Sequence, residues 1–248
     1  MLDLSLSEKT SSLLRASSTG WDMSDAIEQR LNLSQCRFFF DFDHTISKID
    51  VIDDLIEHFA VDQKWRDLEQ RWQSGEIGSE ECLRGQFRSV RVTQEKLREY
   101  LLGIAIDPDF YRIFNLLKKA GVAPLIASDS FDLLIETILK NHDVQGIKIL
   151  ANSLRIEGDR LIPSFPYRNQ ACLRCANCKT SLLCNEDSLK KVLVYIGDGR
   201  SDYCASLSAH MVFAKDSLAE YLRNKGKKFI PYETLKDVYK VLKGLSHE

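Results

Sequence analysis

Two aspartates one residue apart, Asp41 and Asp43, follow an unbroken aromatic run, Phe38-Phe39-Phe40, and lead to Thr45. Carboxylates held this close repel unless a cation, a proton or a substrate sits between them. Such a pair suits metal-assisted chemistry. Other polar groups occur in similar settings: Ser128-Asp129 after an apolar stretch, Lys179 at a helix start, and Asp198 with Asp202 in Gly197-Asp198-Gly199-Arg200-Ser201-Asp202. Three or four carboxylates can hold Mg2+, a hard ion that prefers oxygen ligands and keeps several waters. A lysine and a serine hydroxyl suit a phosphate, with helix N-termini adding backbone N–H donors. One remaining aspartate can act as nucleophile and its neighbour as acid or base. Taken singly, each residue has a plainer use. Aspartate and serine cap helices, and a lysine at a helix start is ordinarily solvated.

The elements that must position these groups can be read from periodicity. The run 38–40 is too short for a helix and fits a buried strand, whose alternation sends Asp41 and Asp43 the same way. Ile52, Leu55, Ile56 and Phe59 then recur at helical spacing. Charged, helical sequence continues to about residue 102, broken near Gly75 and Gly78. Asp107 with Pro108 reads as a cap and first helical position, and Gly121 closes that helix. A strand is expected over 122–127, followed by a helix through Phe131, Leu134, Ile135 and Ile138. Residues 147–165 read as a hairpin bending at Glu157-Gly158-Asp159. Strands at 192–196 and 211–214 follow, then a capping-box helix start at Ser217 and Glu220, and a final helix carrying Leu235, Val238 and Leu242.

Strands alternating with helices predict an α/β fold, a Rossmann-like parallel sheet covered on both faces. Ligands of such sheets bind outside the carboxyl ends of the strands, so the polar clusters can converge on one crevice. Residues 53–105 interrupt the alternation and read as an inserted small α-helical cap. The core domain then comprises 36–52 and 106–248, and residues 1–35 a helical extension.

In order and spacing the four motifs resemble the haloacid dehalogenase superfamily of phosphatases. The D-x-D-x-T motif is Asp41-Phe42-Asp43-His44-Thr45, the second-motif serine is Ser128, the third-motif lysine is Lys179, and G-D-x-x-x-D begins at Gly197. The resemblance implies that Asp41 attacks phosphorus and Asp43 serves as acid and base. It implies a Mg2+ site of Asp41, Asp43 through its backbone carbonyl, Asp198, and Asp202 through water or from behind. Thr45, Ser128 and Lys179 would serve the phosphate.

The insert resembles the cap of phosphoserine-phosphatase-like members, but two glycines expected after the serine are Asp129 and Ser130. The cap arginine expected to grip a serine carboxylate falls near Gln86, and Asp50 takes the place of the amine-binding acid. Phosphoserine is therefore disfavoured, and Asp129 suits a hydroxyl or a cationic substrate. Ala176-Asn177-Cys178-Lys179 resembles the methionine-salvage phosphatases that act on a methylthio-ketopentenyl phosphate. Ser128-Asp129 together with Cys172-x-x-Cys175 resembles the phosphoethanolamine/phosphocholine phosphatases. A phosphotransferase passing phosphate to an acceptor alcohol, and a non-catalytic phosphate- or zinc-sensing protein, are the alternatives.

The net charge of −2 shows no bias toward nucleic acid, and no apolar run is long enough to span a bilayer. The first 36 residues lack an apolar signal region and carry acids, so a cytoplasmic protein is expected. The resemblance implies a monomer or homodimer acting on a small phosphorylated metabolite. Seven cysteines are then expected as reduced thiols. Cys172, Cys175, Cys178 and Cys184 have the donors for a structural Zn2+, although the spacing lacks a second separated C-x-x-C pair.

Overall fold

The computed structural model describes residues 32–245, apart from 173, 186, 187 and 189, so the expected helical extension lies outside the described residues up to position 31. The aromatic run forms strand β1, Cys36–Phe40. Phe38, Phe39 and Phe40 are fully buried, and each such ring stabilises the fold by roughly 2–3 kcal/mol.

Four helices follow: α1 (Val51–Phe59), α2 (Lys64–Gln73), α3 (Ser79–Phe87) and α4 (Gln94–Leu102). Helix α5 (Pro108–Lys119) starts where expected, with Asp107 as its cap accepting from the Asp109 N–H and Pro108 in the first turn. Gly121 takes a φ of +72°, which lets the chain leave that helix.

Strand β2, Leu125–Phe131, is longer than expected. Its pairing with β3 is irregular between Ala127 and Phe131, so Ser128 and Asp129 lie on a distorted strand end rather than in a loop. Helix α6 (Asp132–Asn141) therefore begins one residue after Phe131. The expected hairpin is β3 (Lys148–Glu157) with β4 (Arg160–Ser164), turning at Gly158 with φ +65°.

A short helix α7 (Lys179–Leu183) precedes β5 (Val192–Gly197). After a 3-10 turn at Arg200–Asp202 come α8 (Tyr203–Ser208), β6 (Met211–Ala214), α9 (Asp216–Asn224), β7 (Ile230–Pro231) and α10 (Leu235–Leu245). Helix α9 starts from Lys215, so Ser217 lies inside it and the expected capping box does not form.

The seven strands make one sheet in the order β4-β3-β2-β1-β5-β6-β7, with only β4 antiparallel to its neighbour. Alternation divides each central strand between two cores. Phe38, Phe40, Val194 and Ile196 pack on one face, and Phe39, Leu193 and Tyr195 on the other. The fold class is as expected: a Rossmann-like, mostly parallel sheet covered on both faces.

Candidate active site

Register brings the motifs together. Phe40 pairs with Ile196 on one side and Ile126 on the other, so Asp41, Asp198 and Ser128 leave the sheet within two residues of a common row. The Asp41 N–H completes the row by donating to the Ile196 carbonyl at 2.9 Å.

Asp41, Asp198 and Asp202 offer carboxylate oxygens that all lie within 4.8 Å of one another, and all three residues are buried. Among the described residues this is the one such group of three or more candidate metal ligands. Burial pushes the Asp41 carboxyl well above the usual range, and Asp202 and Asp198 push it further, against the pull of Lys179. Burial and then Asp202 likewise raise Asp198 to about 6, against the Thr45 hydrogen bond. Acids in this state are short of positive charge. An oxygen-only, anionic donor set of this kind fits Mg2+.

Lys179, at the start of α7, supplies part of that charge. Its Nζ lies 2.8 Å from Asp41 Oδ1 and 2.7 Å from Asp202 Oδ1, and donates to Ser201 Oγ at 2.8 Å. Burial alone would lower the ammonium, but Asp202, Asp41 and Asp129 outweigh it and hold Lys179 above the usual lysine value.

Asp43 stands apart from the three-acid group. Its Oδ1 accepts the Val51 N–H at 2.8 Å, which fixes the carboxyl at the N-terminus of α1. Removal from water, then Asp50, raises the Asp43 carboxyl well above its ordinary value, although the Val51 bond opposes this. A carboxyl whose proton affinity is raised in this way suits a general acid.

Asp50, expected beside a substrate amine, caps α1 with one oxygen, accepting from the Ile52 and Asp53 N–H groups. Thr45, expected at the phosphate, donates its hydroxyl to Asp198 Oδ1 at 2.9 Å and is 3.3 Å from the Tyr232 hydroxyl. It therefore orients a candidate metal ligand.

A cavity of about 210 Å3 opens over these groups. Asp41, Asp43, Ser128, Asp129 and Asp198 line its floor, while Asp53, Glu69, Trp72, Ser79, Leu83 and Gln86 from α1, α2 and α3 line its roof. Asp129 has one buried oxygen without a hydrogen-bond partner among the described residues. Burial raises its carboxyl to about 6 despite Lys179.

Sequence reasoning missed several contributors. Asn177 donates to the Ser128 and Leu150 carbonyls at 2.7 and 2.8 Å, which braces the strand end carrying Ser128. Tyr195 donates to Asp202, and Tyr232 lies against Thr45. A tyrosine within an otherwise aliphatic buried strand was a usable signal, because its hydroxyl needs a partner.

The zinc expectation is corrected. All seven cysteines are free, and Cys172, Cys175, Cys178 and Cys184 do not gather into a ligand group.

Comparison with known proteins agrees with this geometry. Residues 37–216 match the family model described as Putative Phosphatase. A 2-hydroxy-3-keto-5-methylthiopentenyl-1-phosphate phosphatase of Brevibacillus brevis is 25% identical over 217 residues, covering 85% of this chain and 96% of its own. Pdp3-interacting factor 1 of Schizosaccharomyces pombe is 26% identical over 221 residues, with 85% and 96% covered. Among solved structures, a probable phosphoserine phosphatase of Vibrio cholerae superposes with a TM-score of 0.67 at 17% identity, over 88% of this chain and 68% of that one.

Proposed function

The chain belongs to the putative phosphatase family, as a phosphoric monoester hydrolase of the haloacid dehalogenase type, and from that premise we propose a Mg2+-dependent phosphomonoesterase that works through an aspartyl phosphate on Asp41. The observation that carries this reading is the buried trio Asp41, Asp198 and Asp202, two of which line the floor of the cavity, next to Lys179.

Asp41 and Asp198, with the carbonyl of Asp43, would hold Mg2+. Bound there, the ion offsets the repulsion between nucleophile and phosphate and stabilises equatorial charge. Asp41 attacks phosphorus while its carboxylate is held by Lys179. Asp43, whose proton affinity is raised by burial and Asp50, gives a proton to the leaving oxygen and then takes one from the water that hydrolyses the intermediate. Ser128, which lines the cavity from the end of β2, would hold a phosphate oxygen.

Helices α1–α4 act as the cap, because α1, α2 and α3 roof the cavity. A space this small takes a small metabolite. The relatives' names support the methionine-salvage ketopentenyl phosphate. A second reading, phosphoethanolamine or phosphocholine, is favoured by the acids Asp53, Glu69 and Asp129 that line the cavity.

Phosphate release from a panel of both substrate types, with Mg2+ and with EDTA, tests the reading. Metal-dependent release from one compound far above the rest is expected. No release from any compound would contradict the hydrolysis, and transfer to an added alcohol would identify a phosphotransferase instead.

A further inference from the structure

An ionised carboxylate offers about four lone-pair positions, and Asp202 has donors for all of them. Oδ1 accepts from Lys179 Nζ at 2.7 Å and from the Tyr195 hydroxyl. Oδ2 accepts from the Asp198 N–H at 3.0 Å and the Gly199 N–H at 3.1 Å. Both Asp202 and Tyr195 are wholly buried. A direct bond from Asp202 to a metal would have to displace one of these donors.

The packing around the pair is closed as well. A Cβ on Gly197 would collide with the Asp202 carboxylate and lie 2.9 Å from Tyr195 Cε1. Glycine at this point therefore permits the approach of the carboxylate to the strand. Tyr195 and Gly197 lie on the same face of β5 by alternation, so the strand presents one side as hydroxyl and gap, both filled by Asp202. The opposite face of β5 carries the aliphatic Val194 and Ile196 in the other core.

We propose that Tyr195 is a positioning residue for the hydrolysis: its hydroxyl completes the donor set of Asp202, and Asp202 thereby anchors Lys179 and the 197–199 turn instead of ligating metal directly. This rests on the phosphatase reading above. The chain of contacts runs from Tyr195 through Asp202 and Lys179 to Asp41, so the hydroxyl acts on the nucleophile through the lysine. The two N–H groups held by Oδ2 fix the turn that aims Asp198. The ends of β1 and β5 and the start of α7 are thus tied to one side chain.

Two variants of the full chain test this, read by steady-state kinetics and by the Mg2+ concentration that half-saturates the rise in melting temperature. Tyr195→Phe should lower kcat about tenfold with KM changed less than threefold, and should leave half-saturation by Mg2+ within threefold of the wild type. Asp202→Asn should weaken Mg2+ by less than tenfold, whereas Asp198→Asn should weaken it by a hundredfold or more. Adding Tyr195→Phe to Asp202→Asn should cost no further activity, because the hydroxyl acts only through that carboxylate.

Wild-type kcat in Tyr195→Phe, or loss of Mg2+ in Asp202→Asn as complete as in Asp198→Asn, would overturn the assignment. Should Tyr195→Phe fail to fold, the two aspartate variants decide through Mg2+ binding whether Asp202 ligates the metal. Tyr195→His, which keeps a ring donor, should then retain more turnover than Tyr195→Leu; equal turnover in those two would overturn the role of the hydroxyl. A wild-type protein that binds Mg2+ but hydrolyses nothing would count against the phosphatase reading alone, since the binding comparison between Asp202→Asn and Asp198→Asn does not depend on turnover.

Discussion

Lys179 Nζ stands 2.8 Å from Asp41 Oδ1, and neither side chain has meaningful contact with solvent. The same nitrogen is 2.7 Å from Asp202. A buried ammonium between two carboxylates costs desolvation that only such close pairing offsets, and removing it leaves two uncompensated charges.

Lys179→Met should therefore lower the melting temperature of the metal-free protein by roughly 10 °C, the scale expected for losing about 3–5 kcal/mol in a domain this size. Turnover should fall by about a thousandfold. Calorimetry in EDTA alongside a phosphate-release assay checks both. A variant as stable as the wild type would show that the lysine is not part of the buried charge balance.

Asp43, held by the Val51 N–H, is assigned the proton that the leaving oxygen needs. Asp43→Asn should then lose about 100- to 10,000-fold in turnover of alkyl phosphates. With p-nitrophenyl phosphate, whose leaving group needs no proton, a burst of nitrophenol close to the enzyme concentration should precede a slow steady state. Equal losses on both substrates with no burst would assign the acid elsewhere.

The acid cluster makes a pH prediction whose sign follows from linkage. Asp198 and Asp129 have values of about 6 in the folded protein, above the roughly 4 of an unfolded chain. The folded state thus binds more protons than the unfolded one between those values, so stability falls as pH rises through that window. Melting in EDTA should show this decline, and both Asp198→Asn and added Mg2+ should reduce it. A decline of the same size in all three conditions would exclude Asp198 as its source.

Gly197→Ala places a methyl group against Asp202 and the Tyr195 ring. Overpacking of this kind costs about 1–3 kcal/mol, and here it also moves an anchor of the lysine. A lowered melting temperature together with at least a tenfold loss of kcat is expected. Loss of neither would mean that Asp202 has room to shift.

The site was legible in the sequence to the extent that residue type and strand position coincide. Asp41, Ser128 and Asp198 end or follow strands whose apolar character is unambiguous, and a parallel sheet aligns those ends. The bond from Thr45 to Asp198 was not legible, because one hydroxyl at a strand end can face a phosphate or a neighbouring acid. The acid is distant in sequence and only the fold brings it near.

Asp50 reads equally as cap or ligand for a related reason, since both uses need a carboxylate next to a helix start. The cysteines show the opposite error. Their spacing allowed four zinc donors, but spacing along a loop does not fix where thiols point, and they do not assemble. Tyr195 and Asn177 were hidden because each reads locally as an ordinary buried or loop residue, while its partner is distant in sequence or on another element.

The central claim is that Asp41 carries the phosphoryl group. The most direct test is to quench a Mg2+-dependent turnover in acid after milliseconds and locate the modified residue by peptide mass spectrometry. Phosphate is expected on Asp41 in the wild type and none in Asp41→Asn, which should also have lost almost all turnover. Turnover with the modification on another residue, or an Asp41→Asn protein that still releases phosphate at the wild-type rate, would contradict it.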